Sequence, residues 1–178
     1  MSVSIELVRG RSLEGCLDGY LEGLAAILVD GVNSGASISF LQPFSAEQAT
    51  DYWRQEVFPG VIGGQRLLFV AVLEGELVGT VQLVTGLVPN QRHRCEVSRL
   101  VVLSRARRRG IGRLLMEAVL ERASALGKKL VTLDTRSGDP SQKLYQSLGF
   151  EVAGEIPDFA LDPDRRHLSP TTYMYKRL

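Results

Sequence analysis

Apolar positions along this chain follow two patterns, one typical of helices and one typical of strands. The helical pattern is the clearer one. From Ile111 they fall at residues 111, 114, 115, 118 and 119, which is the spacing of one face of an amphipathic helix. Leucines 13 to 28 follow a similar spacing after Ser12, and Ser45 with Gln48 forms a capping-box pattern. The predicted helices run from Ser12 to near Gly31, from Ser45 to about Val57 with a stop at Pro59-Gly60, from Ile111 to Leu126 with Gly127 as the cap, and from Asp139-Pro140 to Gly149.

Between these segments lie shorter runs of aliphatic and β-branched residues, which predict strands. Glu74-Gly75 separates two such runs and is typical of a hairpin turn. Residues 158–169 show no period and are predicted to form an irregular loop. The predicted strands are Val3–Val8, 67–73, 77–84, roughly 94–103, 130–134, one that starts at 150–152, and 171–176. Strands and helices alternate, so the pattern predicts an α/β fold.

Composition places the chain among ordinary globular proteins. Its 178 residues predict one domain, 1–178, with 44% hydrophobic and 23% charged residues. A net charge of +1 gives no global reason to expect nucleic acid or a membrane surface, and the longest apolar runs are far too short to span a bilayer. The N-terminal residues lack the pattern of a signal peptide, so the expected compartment is the cytoplasm. Cys16, Cys95, His93 and His167 have no metal-ligand spacing, so we expect no metal.

The basic charge is concentrated in one segment. Eight arginines lie between Arg92 and Arg113, against the single acid Glu96. Within it, Arg107-x-x-Gly110-x-Gly112 joins a predicted strand to a predicted helix. The start of a helix has unpaired N–H groups and a partial positive charge, and glycines let an anion approach that backbone closely. The segment therefore predicts a pyrophosphate site. A solvated face or a nucleic-acid patch is the alternative, but no aromatic residue is interleaved with the arginines.

At this motif the sequence resembles the GNAT (GCN5-related) N-acetyltransferases, whose acetyl-CoA signature is Gln/Arg-x-x-Gly-x-Gly/Ala. The segment Leu144-Tyr145-x-x-x-Gly149-Phe150 and the C-terminal Met-Tyr-Lys also match that family. Within it, Leu133-Asp134-Thr135 and Gly154-Glu-Ile-Pro157 look like the tabtoxin-resistance acetyltransferases. The resemblance implies a mixed, mostly antiparallel sheet of about seven strands, splayed between the fourth and fifth strands and flanked by about four helices. It also implies an acetyl-CoA-dependent enzyme that acetylates a primary amine.

The resemblance implies roles for three side chains. An alkylamine is mostly protonated at pH 7, so a base must accept its proton before the amine can attack a thioester. Glu96 and Asp134 are the candidates, directly or through a water molecule, and the sequence does not decide between them. Glu96 could instead form a salt bridge with a nearby arginine. Tyr145 is the candidate acid for the leaving thiolate, and its alternative role is core packing.

The same resemblance assigns the cofactor residues. The backbone of Leu100, Val101 and Val102 is expected to pair with the pantetheine amides. The turn is expected to hold the pyrophosphate, although each arginine could instead be a solvated charge. The turn residues assigned to the cofactor are Arg107, Arg108, Arg109, Gly110, Ile111, Gly112 and Arg113.

The acceptor side is less well determined. The family fold implies that the loop of residues 33–44 and the segment near residues 157–170 line it. The side chains that they and the second helix offer are Phe40, Phe44, Trp53, Asp158, Phe159, Asp162, Asp164, Arg165, Arg166 and His167. Aromatic and carboxylate groups suit a small cationic amine, such as an amino-acid-like metabolite, a toxin or an antibiotic. The alternatives are a protein or peptide acceptor and a non-catalytic acyl-CoA-binding module. An exposed C-terminal strand would also allow pairing into a homodimer.

Overall fold

Seven strands form one mixed sheet in the computed structural model, which describes residues 2–8 and 13–178. The sheet order is β1-β2-β3-β4-β5-β7-β6. The strands are β1 (Val3–Val8), β2 (Arg66–Leu73), β3 (Glu76–Val84), β4 (Arg94–Val102), β5 (Leu130–Arg136), β6 (Glu151–Leu161) and β7 (Leu168–Arg177). Every neighbouring pair is antiparallel except β4 and β5, which are parallel. The predicted mixed, mostly antiparallel sheet of seven strands is confirmed.

Helices cover the sheet at four places among the described residues. They are α1 (Leu13–Asn33), a continuous run of α2 (Ala46–Asp51), a π-helical segment (Tyr52–Val57) and α3 (Phe58–Ile62), then α4 (Ile111–Ala125) and α5 (Pro140–Ser147). The helices α1 and α4 both pack against β3 and β4. Successive residues of β3 are buried from Val78 to Leu83, so both faces of that strand are covered. This explains why β3 lacks the polar alternation of a half-exposed strand.

The turn chemistry of the sequence is found where it is expected. The Ser45 side chain accepts a hydrogen bond from the Gln48 N–H, while the Gln48 side chain accepts one from the Ser45 N–H, as in a capping box. Glu74 and Gly75 both have positive φ, 53° and 83°, as a tight hairpin turn requires. Gly127 has a φ of 70° and ends α4. Ser12, the predicted cap of α1, lies outside the described residues.

The second helix was predicted to stop at Pro59-Gly60, and this prediction is wrong. Helical structure continues through the π-helical segment into α3, where Pro59 occupies the first turn. The missing N–H of a proline is tolerated in a first turn, where that group has no intrahelical partner. The change from the π-helical to the α-helical segment therefore places the proline in a first turn, where its missing N–H removes no intrahelical hydrogen bond.

The irregular loop predicted at residues 158–169 is wrong at both ends, since only residues 162–167 lie outside strands. Instead, β6 extends to Leu161 and β7 begins at Leu168, with Leu161 and Leu168 paired. Register shifts interrupt this hairpin, and Asp158 has a φ of 50° at one of them. Such bulges disturb the alternation of side chains, which is why no strand period is visible. Because β7 lies between β5 and β6, the C-terminal strand is not the exposed edge that the homodimer argument assumed.

The splay predicted between the fourth and fifth strands is confirmed. β4 pairs with β5 only from Arg94 to Glu96, opposite Leu130 to Thr132. Beyond those three pairs β4 pairs with β3 alone, whereas β5 stays paired with β7 along its whole length. The sheet is therefore closed at one end of these strands and open at the other.

Candidate active site

A cavity of about 1020 Å³ lies at the open end of β4 and β5. Six parts of the chain supply its walls: residues 34–41, residues 97–102 of β4, the turn into α4, residues within 134–145, residues 159–161 of β6 and Thr171 of β7. Its position follows from the splay, because two strands that separate leave a slot with polar backbone edges on either side.

The turn between β4 and α4 has the geometry expected of an anion site. Arg108 and Gly110 have φ values of 64° and 78°, so the backbone curls before the helix begins. Gly110 is the N-cap residue and supplies no side-chain cap to the first N–H groups of α4. A Cβ added at Gly110 would meet nothing within 4 Å. The glycine is therefore required by its positive φ, and the space beside it is open to a ligand.

The arginines of this segment divide into different roles. Arg107 donates to the Val102 carbonyl at 3.1 Å and to the Ser34 hydroxyl at 2.7 Å, which fastens the turn to the end of α1. Arg113 donates to the Ser147 hydroxyl at 2.7 Å. Arg107, Arg108 and Arg113 line the cavity, whereas Arg109 is exposed and does not. Of the ten predicted cofactor residues, Arg109 is thus the one that the cavity lining leaves out.

The two predicted carboxylates occupy different environments. Glu96 is paired with Arg94 at 3.4 Å, its side chain is 44% exposed, and it is not part of the cavity lining. Asp134 lines the cavity and is itself exposed at its surface. Desolvation raises the pKa of Asp134, and the negative charge of Glu96 raises it further, so the two carboxylates are close enough to interact. The positive charge of Arg99 acts in the opposite direction and lowers the Asp134 pKa.

Tyr145 lies on α5 at the junction of cavity and core. It is 6% exposed, packs against Phe150 at a ring separation of 5.9 Å, and also lines the cavity. Burial raises the pKa of Tyr145 far above its ordinary value, and the charge of Asp134 raises it further. The phenol is therefore neutral at physiological pH and able to donate a hydrogen bond at the cavity. The sequence left two alternatives for Tyr145, core packing and a position at the cavity. In the structure Tyr145 has both.

The acceptor candidates of the sequence are only partly brought together. Phe40 and Phe159 line the cavity, while Trp53 is fully buried in the core. Phe44 is buried and stacks on Phe40 at 4.5 Å. Asp162 is 7% exposed and pairs with Arg136 at 3.3 Å. The remaining predicted acceptor residues do not line the cavity: Asp158, Asp164, Arg165, Arg166 and His167.

Hydrogen bonds fasten the acceptor loop to the tip of the β6–β7 hairpin. The Gln42 N–H donates to the Pro163 carbonyl at 2.8 Å, and Arg165 Nε donates to the Gln42 carbonyl at 3.0 Å. The Gln42 side chain also donates to the Val32 carbonyl of α1 at 2.8 Å. Two segments far apart in sequence thus form one wall of the cavity.

Sequence reasoning missed two residues, Arg99 and Tyr52. The pairing of β3 with β4 shifts register between Thr80 and Gln82, and β4 contains one extra residue there. Arg99, in this bulge, has a φ of 51° and lines the cavity. Its guanidinium carbon lies 4.8 Å from the Tyr52 ring centroid. The sequence gives no signal for a bulge at this position, since the apolar run of β4 continues through it.

Among the described residues, no group of three or more His, Cys, Asp or Glu side chains is arranged to hold a metal ion. No described helix is both long and apolar enough to cross a membrane. Cys95 is a fully buried free thiol, and burial raises its pKa to about 11, although Lys128 and Arg94 oppose that shift. A thiol in this state is a poor nucleophile.

Comparison with known proteins gives one family. The model of the acetyltransferase (GNAT) family matches residues 35–150. An N-acetyltransferase from the hisH-hisA intergenic region of Azospirillum brasilense is 32% identical over 120 residues, which are 66% of this chain and 69% of that protein. The fold matches an N-acetyltransferase structure from Staphylococcus aureus with a TM-score of 0.79, 17% identity and 99% of each chain covered. It also matches a phosphinothricin acetyltransferase from Sinorhizobium meliloti in complex with acetyl-CoA, with a TM-score of 0.78, 21% identity, and 100% and 89% coverage.

Proposed function

Since the chain belongs to the acetyltransferase (GNAT) family and is an N-acetyltransferase, we propose a specific reaction for it. It transfers the acetyl group of acetyl-CoA to the primary amine of a small, amino-acid-like molecule. The observation that carries this proposal is that one cavity joins the anion-binding turn, the open edge of β4, Asp134 and Tyr145. The relative from Sinorhizobium meliloti, which was solved with acetyl-CoA, has the same fold.

The donor half of the cavity suits a pyrophosphate followed by a chain of amides. The uncapped N–H groups at the start of α4 and the open space at Gly110 can receive the phosphates. Arg108 and Arg113 add positive charge at the cavity wall. Beyond Glu96 the β5-facing edge of β4 has no strand partner, so its backbone groups can pair with the pantetheine amides. The groups present therefore fit the cofactor in charge and in hydrogen-bonding capacity.

The residues of the cavity can perform the two proton transfers of acetyl transfer. Bound acetyl-CoA would supply the thioester, whose C–S bond breaks as the C–N bond to the amine forms. Asp134, with Glu96 beside it, is placed to accept the amine proton directly or through water, because desolvation, and after it the negative charge of Glu96, raises the pKa of Asp134. Tyr145 remains neutral and can donate its proton to the departing sulfur.

A small acceptor is favoured by the way the acceptor side is built. Gln42 joins the loop of residues 34–41 to the β6–β7 hairpin, and Phe40 and Phe159 line the cavity. A protein or peptide acceptor needs an open groove in which an extended chain can lie. An amino-acid-like metabolite, toxin or antibiotic fits better, and a resistance role of the tabtoxin or phosphinothricin kind is included in the proposal.

The proposed setting is the cytoplasm, which suits the free thiol of Cys95. A homodimer remains part of the proposal, with β6 rather than β7 as the pairing edge. Along β6 the apolar side chains of Val152, Ile156 and Phe159 are between 45% and 48% exposed, which favours pairing or burial. Sedimentation of the wild type and of Ile156→Lys tests this, and a monomeric wild type would remove the dimer from the proposal.

The function is tested first by calorimetric titration with acetyl-CoA, using free CoA, ATP and a short DNA duplex as controls. We expect acetyl-CoA and CoA to bind, and the other two not to bind. Thiol release from acetyl-CoA is then measured with a panel of amino acids, other small amines and peptides. Binding without turnover on any amine would favour an acyl-CoA-binding module, and turnover on peptides alone would favour a protein acceptor. Salt-sensitive DNA binding in the absence of CoA binding would contradict the enzyme proposal.

A further inference from the structure

Arg99 is a positive charge that the β4 bulge holds at the cavity. The extra residue in β4 gives Arg99 a φ of 51°, in the left-handed region that non-glycine residues seldom adopt. A strained backbone of this kind is kept where the surrounding structure imposes it, often at functional sites. The bulge interrupts the strand pairing and re-aims this one side chain, which then lines the cavity.

Two aromatic rings hold the guanidinium of Arg99. Its central carbon lies 5.5 Å from the Phe40 ring centroid and 4.8 Å from that of Tyr52, and the two rings meet edge to face at 5.1 Å. Tyr52 is itself fixed, because its hydroxyl accepts a hydrogen bond from the buried Gln82 at 3.2 Å, and Gln82 in turn accepts one from Arg66. Packing against a ring uses the face of a guanidinium and leaves its in-plane N–H donors for another group.

The donors of Arg99 are incompletely used within the protein. One terminal nitrogen donates to the Ser98 hydroxyl at 3.3 Å, whereas Nε is buried and has no hydrogen-bond partner in the part of the chain that the structure describes. Among the residues that the structure describes, none forms an ion pair with Arg99. A buried donor without an acceptor is unfavourable, and the guanidinium that carries it lines the cavity, where a ligand can offer acceptors to the N–H groups it can reach.

We propose that Arg99 is a specificity-determining residue, which binds the anionic group, a carboxylate in the simplest case, of the amine that is acetylated. This inference rests on the proposed function and names its substrate class: a zwitterion with a short carbon chain between amine and anion. Two N–H donors of the planar guanidinium fork match the two oxygens of a carboxylate. The amine of the same molecule would then lie toward Asp134, which is close enough to Arg99 for their charges to interact.

A purely internal role for Arg99 is less consistent with these contacts. If Arg99 only balanced the carboxylates of the site, it would be expected to pair with one of them. Glu96 instead pairs with Arg94 at 3.4 Å, and Asp134 has no salt bridge with Arg99 within 4.0 Å. The charge of Arg99 is the fourth and smallest influence on the Asp134 pKa. The guanidinium therefore keeps its capacity for an external anion.

Steady-state kinetics with matched acceptors tests the proposal. Each amino acid of the panel is compared with the amine that lacks only its carboxylate, using wild type, Arg99→Gln, Arg99→Lys and the exposed control Arg92→Gln. We expect Arg99→Gln to lower kcat/KM for amino acids by at least about tenfold, mainly through KM, because a charge-assisted bidentate pair is lost. The decarboxylated amines should change by less than about twofold, and the acetyl-CoA KM should stay constant. Arg99→Lys should restore part of the loss.

If Arg99→Gln lowered kcat/KM equally for an amino acid and for its decarboxylated amine, the proposal would be overturned. A wild type that prefers the decarboxylated amines would also overturn it. The latter result leaves the proposed acetyltransferase function intact, so the two failures are distinguishable.

A binding measurement covers the case in which no amine of the panel is acetylated. The NMR signal of the Arg99 Nε–H, assigned with Arg99→Lys, should shift when an amino acid is added and should not shift with its decarboxylated amine. An unchanged signal throughout the amino-acid panel would contradict the inference without reference to turnover.

Discussion

The two sides of the cavity are built in different ways. The proposed donor side, residues 100–113, is one continuous strand, turn and helix start, and under the proposed function it relies mainly on backbone groups. The acceptor side combines residues 34–41, Arg99 and residues 159–161, which lie far apart in sequence and contribute mainly side chains. A site made of contiguous backbone can be recognised from a short motif, whereas a site assembled from distant side chains depends on register shifts and loop contacts. The difference also predicts which substitutions affect the donor, the acceptor or the chemistry between them.

The largest expected effect is at Tyr145, where the two sides meet. We expect Tyr145→Phe to lower kcat by about a hundredfold, because removal of a general acid has an effect of at least that order. The affinity for acetyl-CoA should be retained, since the ring that packs on Phe150 is unchanged. Stopped-flow thiol release and calorimetry measure the two quantities. Tyr175→Phe, which removes a hydroxyl bonded to Glu151 outside the cavity lining, is the matched control. A similar kcat for all three proteins would remove the acid role.

A smaller effect, confined to the donor side, is expected at Gly110. Gly110 and Gly127 lie at opposite ends of α4, with φ values of 78° and 70°, and a Cβ at either would meet nothing within 4 Å. Alanine at either position should lower the free energy of unfolding by about 1 kcal/mol, because both would force a side chain into the left-handed region. Only Gly110→Ala should also weaken acetyl-CoA binding, by about tenfold, since it alters the anion-binding turn. Equal affinities in the two variants would contradict the predicted cradle.

The smallest expected effect concerns the charge of Asp134 and is measured as stability. The folded-state pKa of Asp134 lies above the reference value of 3.8, so the unfolded chain loses this proton at lower pH than the folded chain does. Between the two pKa values the folded state binds more protons, and its stability falls as the pH rises. The melting temperature of Asp134→Asn, relative to wild type, should therefore increase from pH 3 to pH 7.

The expected increase is small, because Asp134 is exposed and solvent screens its charge. Thermal unfolding of the protein without ligand at each pH measures it, with the exposed Asp51→Asn on α2 as the control. A difference between Asp134→Asn and wild type that stays constant with pH would show that Asp134 titrates normally. The same variant should lose turnover if Asp134 is the base, so that function and stability change in opposite directions.

The local parts of the fold could be predicted because each depends on a few neighbouring residues. The Ser45 capping box, the Glu74-Gly75 turn and the start of α4 after Gly110 each have a physical cause within one turn of chain. The same holds for the cofactor motif, whose glycine is required by its own φ. The predictions at Pro59 and at the ends of residues 158–169 were wrong for the converse reason. A π-helical segment puts Pro59 in the first turn of a new helix, and the bulges of the β6–β7 hairpin remove the alternation by which a strand is recognised.

The acceptor side could not be predicted to the same extent. Trp53 and Phe40 are similar apolar candidates in the sequence, yet Trp53 is in the core and Phe40 is at the cavity. The position of Arg99 depends on one extra residue in β4, which the strand pattern does not show. The roles of Glu96 and Asp134 depend on how far β4 and β5 run together, a property of both strands that neither sequence segment specifies alone.

The short contact between β4 and β5 has a consequence for the protein in the cell. Only three residue pairs join the two parts of the sheet, and a bound donor molecule would extend that contact by pairing with the exposed backbone of β4. Any ligand that binds only the folded state stabilises it, by about 2.7 kcal/mol at a hundred times its dissociation constant. Under the proposed function, the lifetime of this enzyme would follow the supply of activated acetyl groups. The protein would persist when its donor is abundant and be degraded sooner when the donor is scarce.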